Sequence, residues 1–385
     1  MVFLQKIKEL ATLGTGEVAG SALSAIFWFY LASQITPDAY GQIHWFLAIA
    51  GFFSYLAMFG TTNTLIVYTA KKIQIQSTLY FISLIASIVL SLIVIIVFPG
   101  FYEIDTSVLL IAYVINTLAI GDLLGRKLYS NYSKYVIVQK GLTLGLGLLF
   151  FHFFGYESIL FALSLSYIFY IKRIFLVFKT QKINFKLVKE RLGFIVNNYV
   201  ILNAVLLNGH IDTIIIAPLL GFTMLGNYSL GLQAIGLMLI FSRIVFKYIL
   251  TQDSSGNNTK NLKFFAIVVS IPISLIGILL GPFFIETFFP KYIDAITAIQ
   301  IMSIVIVPTM FVSIFESQFL SAEKSKIVLI SSIIYTVFLV SGMIVLGLNF
   351  GMIGLAFSFV IATLAKAVFF VSVYYKNNGF SRMIT

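Results

Sequence analysis

The sequence predicts an all-α polytopic membrane protein of about twelve transmembrane helices, in two six-helix bundles related by a parallel repeat. Three observations carry this reading. Hydrophobic residues make up 60% and charged residues 10% of the 385 positions, with a mean hydropathy of +1.02. Apolar blocks of spanning length recur along the whole chain, and basic residues collect at alternate connections between them. Soluble domains carry roughly 25% charged residues, so no sizeable soluble domain is expected. The chain has no cysteine, which excludes disulfides, thiolate metal sites and cysteine nucleophiles.

The first apolar block runs from about Ala11 to Ile35 and is too long and too poorly bounded for a cleaved signal peptide. Thr36 to Gly41 reads as a turn by composition, and a second block follows from Gln42 to Val67, stopped by Lys71 and Lys72. Further blocks run over Leu79–Phe98, Val108–Leu124, Tyr135–Phe154 and Ile159–Val177. After a basic stretch from Lys179 to Arg191, the blocks resume at Phe194–Ile216, Leu225–Leu250, Phe264–Leu280, Ile296–Leu320, Val328–Leu346 and Ile353–Val373. The halves are therefore expected to be residues 1–190 and 191–385.

Orientation follows from the cations. Lys6, Lys8, Lys71, Lys72, Arg126, Lys127, Lys134, Lys140, the run from Lys172 to Arg191, Arg243, Lys247, Lys260, Lys263, Lys324, Lys326, Lys376 and Arg382 fall on one side. Lys291 falls opposite, and Lys366 lies within a span. The positive-inside rule then puts both termini in the cytoplasm of a multi-pass cell (cytoplasmic) membrane protein. It also accounts for the net charge of +11 without nucleic acid as a partner.

Laying Gly41 on Gly226 places Leu31-Ala32 on Ile216-Ala217 and Tyr40-Gly41-Gln42 on Leu225-Gly226-Asn227. Each is a helix, a short outer turn and another helix. The first and seventh spans leave the same side, so the repeat is parallel. That hairpin, together with Gly281-Pro282, Phe289-Pro290-Lys291-Tyr292 and a span ending at Gln318-Phe319-Leu320-Ser321-Ala322, resembles the polysaccharide-transporter branch of the multidrug, oligosaccharidyl-lipid and polysaccharide exporter superfamily, which includes O-antigen-type flippases. The resemblance covers nearly the whole chain. It implies a cavity open to one side at a time, no catalytic triad and no nucleotide site.

Transport of a lipid-linked sugar needs a polar path, so ionisable and amide groups inside spans are the candidates. At about 100° per residue, Glu17, Ser21, Ser24 and Trp28 share one stripe of the first helix. The serines could instead serve close helix packing, and Trp28 could mark an interface. On the seventh span, Asn197, Asn198, Asn208 and Asp212 occupy one third of the circumference, while Asn203 and His210 project opposite. Amides suit sugar hydroxyls, although they also bond neighbouring helices. On the eighth, Gln233, Gly236, Arg243 and Lys247 share an arc. Arg243 offers a fork to phosphate oxygens, and snorkelling to headgroups is its competing role. Asp122 and Arg126, four apart, read as a local pair.

The leading function is export, by alternating access and without chemistry, of an oligosaccharide or polysaccharide precursor on a polyprenyl phosphate or diphosphate carrier. Membrane lipids and a coupling H+ or Na+ are further partners, with Glu17 and Asp212 as candidate coupling carboxylates. No cofactor is expected. A cation-coupled drug or metabolite exporter of the same superfamily is the alternative. A membrane glycosyltransferase or polymerase ranks below both, because the outer loops are short and carry few candidate catalytic groups.

Overall fold

The computed structural model describes residues 2–59, 62–98, 100, 102–197, 199, 210–254, 259–322 and 324–378, with side chains from Gly14 onward except at 17, 63, 70, 251, 254, 377 and 378. The protein is a polytopic all-α membrane protein. It consists of two compact units, residues 1–31 with 43–210 and residues 32–42 with 211–385. The tip of the first hairpin thus belongs to the second unit, whose remaining chain begins at Ile211, some twenty residues beyond the 190/191 division read from the sequence.

In chain order the first unit contains α1 (Val2–Gln34, which runs on into the hairpin), α2 (Pro37–Ala57), α3 (Thr62–Ala70), α4 (Gln76–Val97), α5 (Glu103–Gly125), α6 (Tyr129–Phe154), α7 (Ile159–Leu165), α8 (Ile171–Thr180) and α9 (Phe185–Lys189). The second contains α10 (Ile211–Leu220), α11 (Phe222–Met238), α12 (Ile240–Ser254), α13 (Lys260–Phe288), α14 (Ala295–Ser303), α15 (Ile306–Ser321), α16 (Ser325–Gly342) and α17 (Leu348–Asn378). Each expected block falls on these helices. The seventh is described only in part, since 198 and 200–209 lie outside the described residues.

Among the described residues, six stretches are long and apolar enough to cross a membrane singly: α4, α5, α6, Tyr156–Thr180, α13 and Ser325–Lys376. The last is 52 residues, far more than the ~20 that one crossing takes. Gly351, at φ 57° and ψ −130°, divides it. Two further pairs pass as broken spans, α11 with α12 at 46° and α14 with α15 at 44°.

Three local differences from the sequence reading have simple causes. The turn expected over Thr36–Gly41 is shorter, because Pro37 occupies the first helical position and Thr36 caps it: Tyr40 N bonds to Thr36 O at 3.0 Å and Ala39 N to Thr36 Oγ1 at 3.4 Å. The second block is two helices, α2 ending at Ala57 and α3 starting at Thr62. The sixth is also interrupted, around Ser166. There Gln139 Nε2 donates to Thr143 Oγ1 at 2.9 Å and to Ser166 Oγ at 3.1 Å, so the polar groups at the break are satisfied inside the bundle.

Small and hydroxylated residues set the packing within each unit. In the first, Gly16 and Gly20 bring α1 against Ser133, Val136 and Lys140 of α6, and Gly147 receives the ring of Phe27. Ser91 and Ser107 each donate a hydroxyl to the other's carbonyl, at 3.1 and 3.0 Å, joining α4 to α5. In the second, Ser274 Oγ donates to Ser303 O at 2.7 Å between α13 and α14. Among the described residues, two that are not glycine stand in the left-handed region, Lys72 at φ 58° and Lys127 at φ 57°. That conformation disfavours an L-residue by about 1–2 kcal/mol.

Candidate functional site

The hairpin of residues 32–42 packs on α11 within the second unit through a reciprocal contact. A Cβ on Gly41 would fall inside the contact distance of the Phe222 carbonyl oxygen, and one on Gly226 would do the same to Pro37 O. Phe222 precedes Gly226 by four residues, as Pro37 precedes Gly41, so the two helix starts meet symmetrically. Asp38 Oδ1 accepts from Thr223 Oγ1 at 3.3 Å, again between positions equivalent under the Gly41/Gly226 alignment. Tyr40 and Tyr292 meet edge to face at 5.9 Å, Tyr292 OH donates to Ile35 O at 3.4 Å, and Lys291 Nζ donates to Gln34 O at 3.1 Å. The Lys291-Tyr292 pair of the resembling motif therefore clamps the hairpin.

Asp212 lies in the first turn of α10 and is buried. Its Oδ1 accepts from Thr213 N at 2.7 Å and Thr213 Oγ1 at 3.3 Å, and Oδ2 accepts from Tyr228 OH at 3.2 Å. No Lys, Arg or His is within ion-pair distance among the described residues. A carboxylate held only by neutral donors and a helix start can bind a proton or a small cation. His210, two residues earlier, sits in the first unit against Gly51, with its ring tilted against Tyr55 at 5.7 Å.

Gln233, Gly236, Arg243 and Lys247 share one arc only on a straight helix. The bend at Leu239 ends that continuity. Arg243 folds back instead, donating Nη2 to Gly236 O at 2.7 Å and capping the last turn of α11. Arg243 and Lys247 are exposed and Gln233 is half-buried. In the first unit Ser21 and Ser24 are half-buried. Trp28 is buried, against Phe27 at 4.9 Å and His44 at 4.8 Å. Asn197 is exposed; Asn198, Asn208 and the side chain of Glu17 lie outside the described residues.

Two ion pairs extend what sequence spacing could find. Asp122 does bond Arg126 Nε at 2.6 Å, and it also bonds Arg173 Nη2 at 2.5 Å, a partner 51 positions away. Lys366, placed within a span, meets Glu316 of α15 at 3.2 Å and faces the Phe370 ring at 5.8 Å. Pairing of this kind makes a lysine tolerable at membrane depth.

With this geometry in hand, the chain is similar in structure to several transporters. It matches "Lipid II flippase MurJ, inward closed conformation" at a TM-score of 0.75, covering 96% of this chain and 87% of that one at 13% identity. An inward-facing multidrug resistance MATE family transporter of the MOP superfamily matches at 0.65, covering 94% and 96% at 16% identity. A MOP superfamily transporter from Pyrococcus furiosus matches at 0.61, covering 96% and 95% at 17% identity. Neither a family model nor a curated protein matches the sequence. The chain therefore has the fold of these MOP transporters.

Proposed function

We propose that the protein flips a lipid-linked oligosaccharide or polysaccharide precursor across the cell membrane by alternating access. The observation that carries this reading is the match over 96% of the chain to a lipid II flippase. Two features of the described residues support it. The reciprocal glycine contact brings two helix starts together backbone to backbone within the second unit, which gives one bundle of such a cycle a rigid element. Among the described residues Arg243 bonds Gly236 through Nη2 alone, which leaves guanidinium donors for a carrier phosphate. The remaining predicted contacts, from Glu17 to Asn208, belong to the same reading.

A second reading, a cation-coupled exporter of drugs or metabolites, is favoured by one specific observation, the buried Asp212 carboxylate without a counter-cation among the described residues. The two are separated by presenting the purified chain in sealed vesicles with a panel of lipid-linked saccharides and of small organic cations. Flipping requires the orientation derived from the basic residues. Cysteines placed at 104 and 180 in this cysteine-free chain, both exposed positions, are expected to label from opposite sides of the membrane. Labelling from the same side would overturn that topology.

A further inference from the structure

α3 and α5 end side by side in the first unit. A Cβ on Gly125 would lie 2.5 Å from Thr69 Cβ and 3.1 Å from Ile66 O, and Gln76 Nε2, on the returning chain, donates to Thr69 Oγ1 at 2.8 Å. Both helices finish with the same device. Ile73 N bonds to Tyr68 O and Leu128 N to Leu123 O, each at 2.9 Å. Inside those bonds, Lys72 N reaches Thr69 O at 3.0 Å and Lys127 N reaches Leu124 O at 2.9 Å. This motif places its penultimate residue in the left-handed region, where glycine is the usual choice. Here both positions hold lysine, at φ 58° and 57°.

Charge concentrates at this paired end. Lys71, Lys72 and Lys127 are exposed, and none has an ion-pair partner among the described residues. Arg126 and Arg173 share the single Asp122 carboxylate, and Arg173 Nε is buried without a hydrogen-bond partner. The two helix ends thus carry Lys71, Lys72, Arg126 and Lys127, and the one carboxylate bonded there, Asp122, is shared by Arg126 with Arg173. A positive-inside signal requires basic residues near a helix end, but not at its strained position. Lysine next to a glycine cap would serve as well. Two adjacent helices that both hold lysine there fix the direction in which each ammonium group leaves the backbone.

We propose that this paired helix end is a binding site for the phosphoryl headgroup of a membrane lipid. Phosphate oxygens accept from the two left-handed lysines and from the outer edge of Arg126, whose side chain is 42% exposed. The site is independent of the transport reading and stands whether or not the chain flips a saccharide. Its ligand is one of two lipids sharing the same chemistry, a diacyl anionic phospholipid or a polyprenyl diphosphate.

The test compares the full-length chain with K72G/K127G and K72R/K127R. Binding of phosphatidylglycerol and of polyprenyl diphosphate is titrated in a phosphatidylcholine background, alongside thermal unfolding. The glycine pair relieves the left-handed strain, so its Tm is expected to rise by about 2 °C. It is also expected to weaken binding of at least one lipid about tenfold or more, since each basic residue near a headgroup surface contributes strongly. The arginine pair should bind within about twofold of the wild type, because both charges remain. Loss for one lipid alone identifies the source. Unchanged binding of both lipids by the glycine pair would overturn the proposal. So would a fall in its Tm, which contradicts the left-handed placement, or an equal loss in the arginine pair, which would make the lysines structural.

Discussion

Gly226→Ala is expected to lower the stability of the protein and to reduce transport by an order of magnitude or more. The added methyl group has no room, because the Pro37 carbonyl oxygen already lies within its contact distance and backbone cannot rotate away as a side chain can. α11 and the hairpin must separate locally, and overpacking of this kind destabilises by about 1–3 kcal/mol. Separation also weakens the Asp38–Thr223 bond and loosens the Tyr40–Tyr292 contact beside it. Gly41→Ala should behave alike, since it meets Phe222 O in the same way. Gly236 is the control. Nothing lies within 4 Å of the position its Cβ would occupy, and alanine there is favoured in a helix by about 0.5–1 kcal/mol. Thermal unfolding and vesicle transport of the three variants at matched abundance decide the matter. Equal behaviour of Gly226→Ala and Gly236→Ala would remove the hairpin contact from the account.

The second large effect is expected at Asp212. Asparagine keeps the shape and leaves an amide oxygen to accept from Thr213 or Tyr228, while the negative charge is lost. Packing should therefore survive. If this carboxylate couples an ion to transport, Asp212→Asn should lose at least tenfold in rate under a proton or sodium gradient and show no remaining gradient dependence. Glu17→Gln, the other candidate, is measured in the same series. Unchanged rate and ion dependence in both variants would mean that the membrane potential or consumption of the product gives the direction.

The order of helices was legible because spanning apolar runs are long and the cations between them alternate. The breaks were not. The interruption at Leu239 occurs within an apolar run, Phe222 to Leu250, whose hydropathy does not register a change of axis. That same bend redirected Arg243 to the Gly236 carbonyl, which a straight-helix projection could not foresee. Local pairs such as Asp122–Arg126 follow from spacing, whereas Arg173 and Glu316 find their partners across the fold, 51 and 50 positions away. The Gly41/Gly226 alignment could be drawn from the sequence as a repeat. That the two glycines touch each other's helix is a fact of packing, and only the backbone positions reveal it. Likewise Trp28 was placed on the right helix, but its burial by Phe27 and His44 depends on neighbours that periodicity does not identify.

Translocation of a polyprenyl-diphosphate-linked oligosaccharide by the purified chain in sealed vesicles tests the account most directly. Protein-dependent, saturable movement of the lipid-linked glycan to the opposite leaflet without ATP, reduced at least tenfold by Gly226→Ala, is the predicted result. Movement of small organic cations at a rate that Gly226→Ala leaves unchanged, with the lipid-linked glycan remaining in its original leaflet, would contradict it.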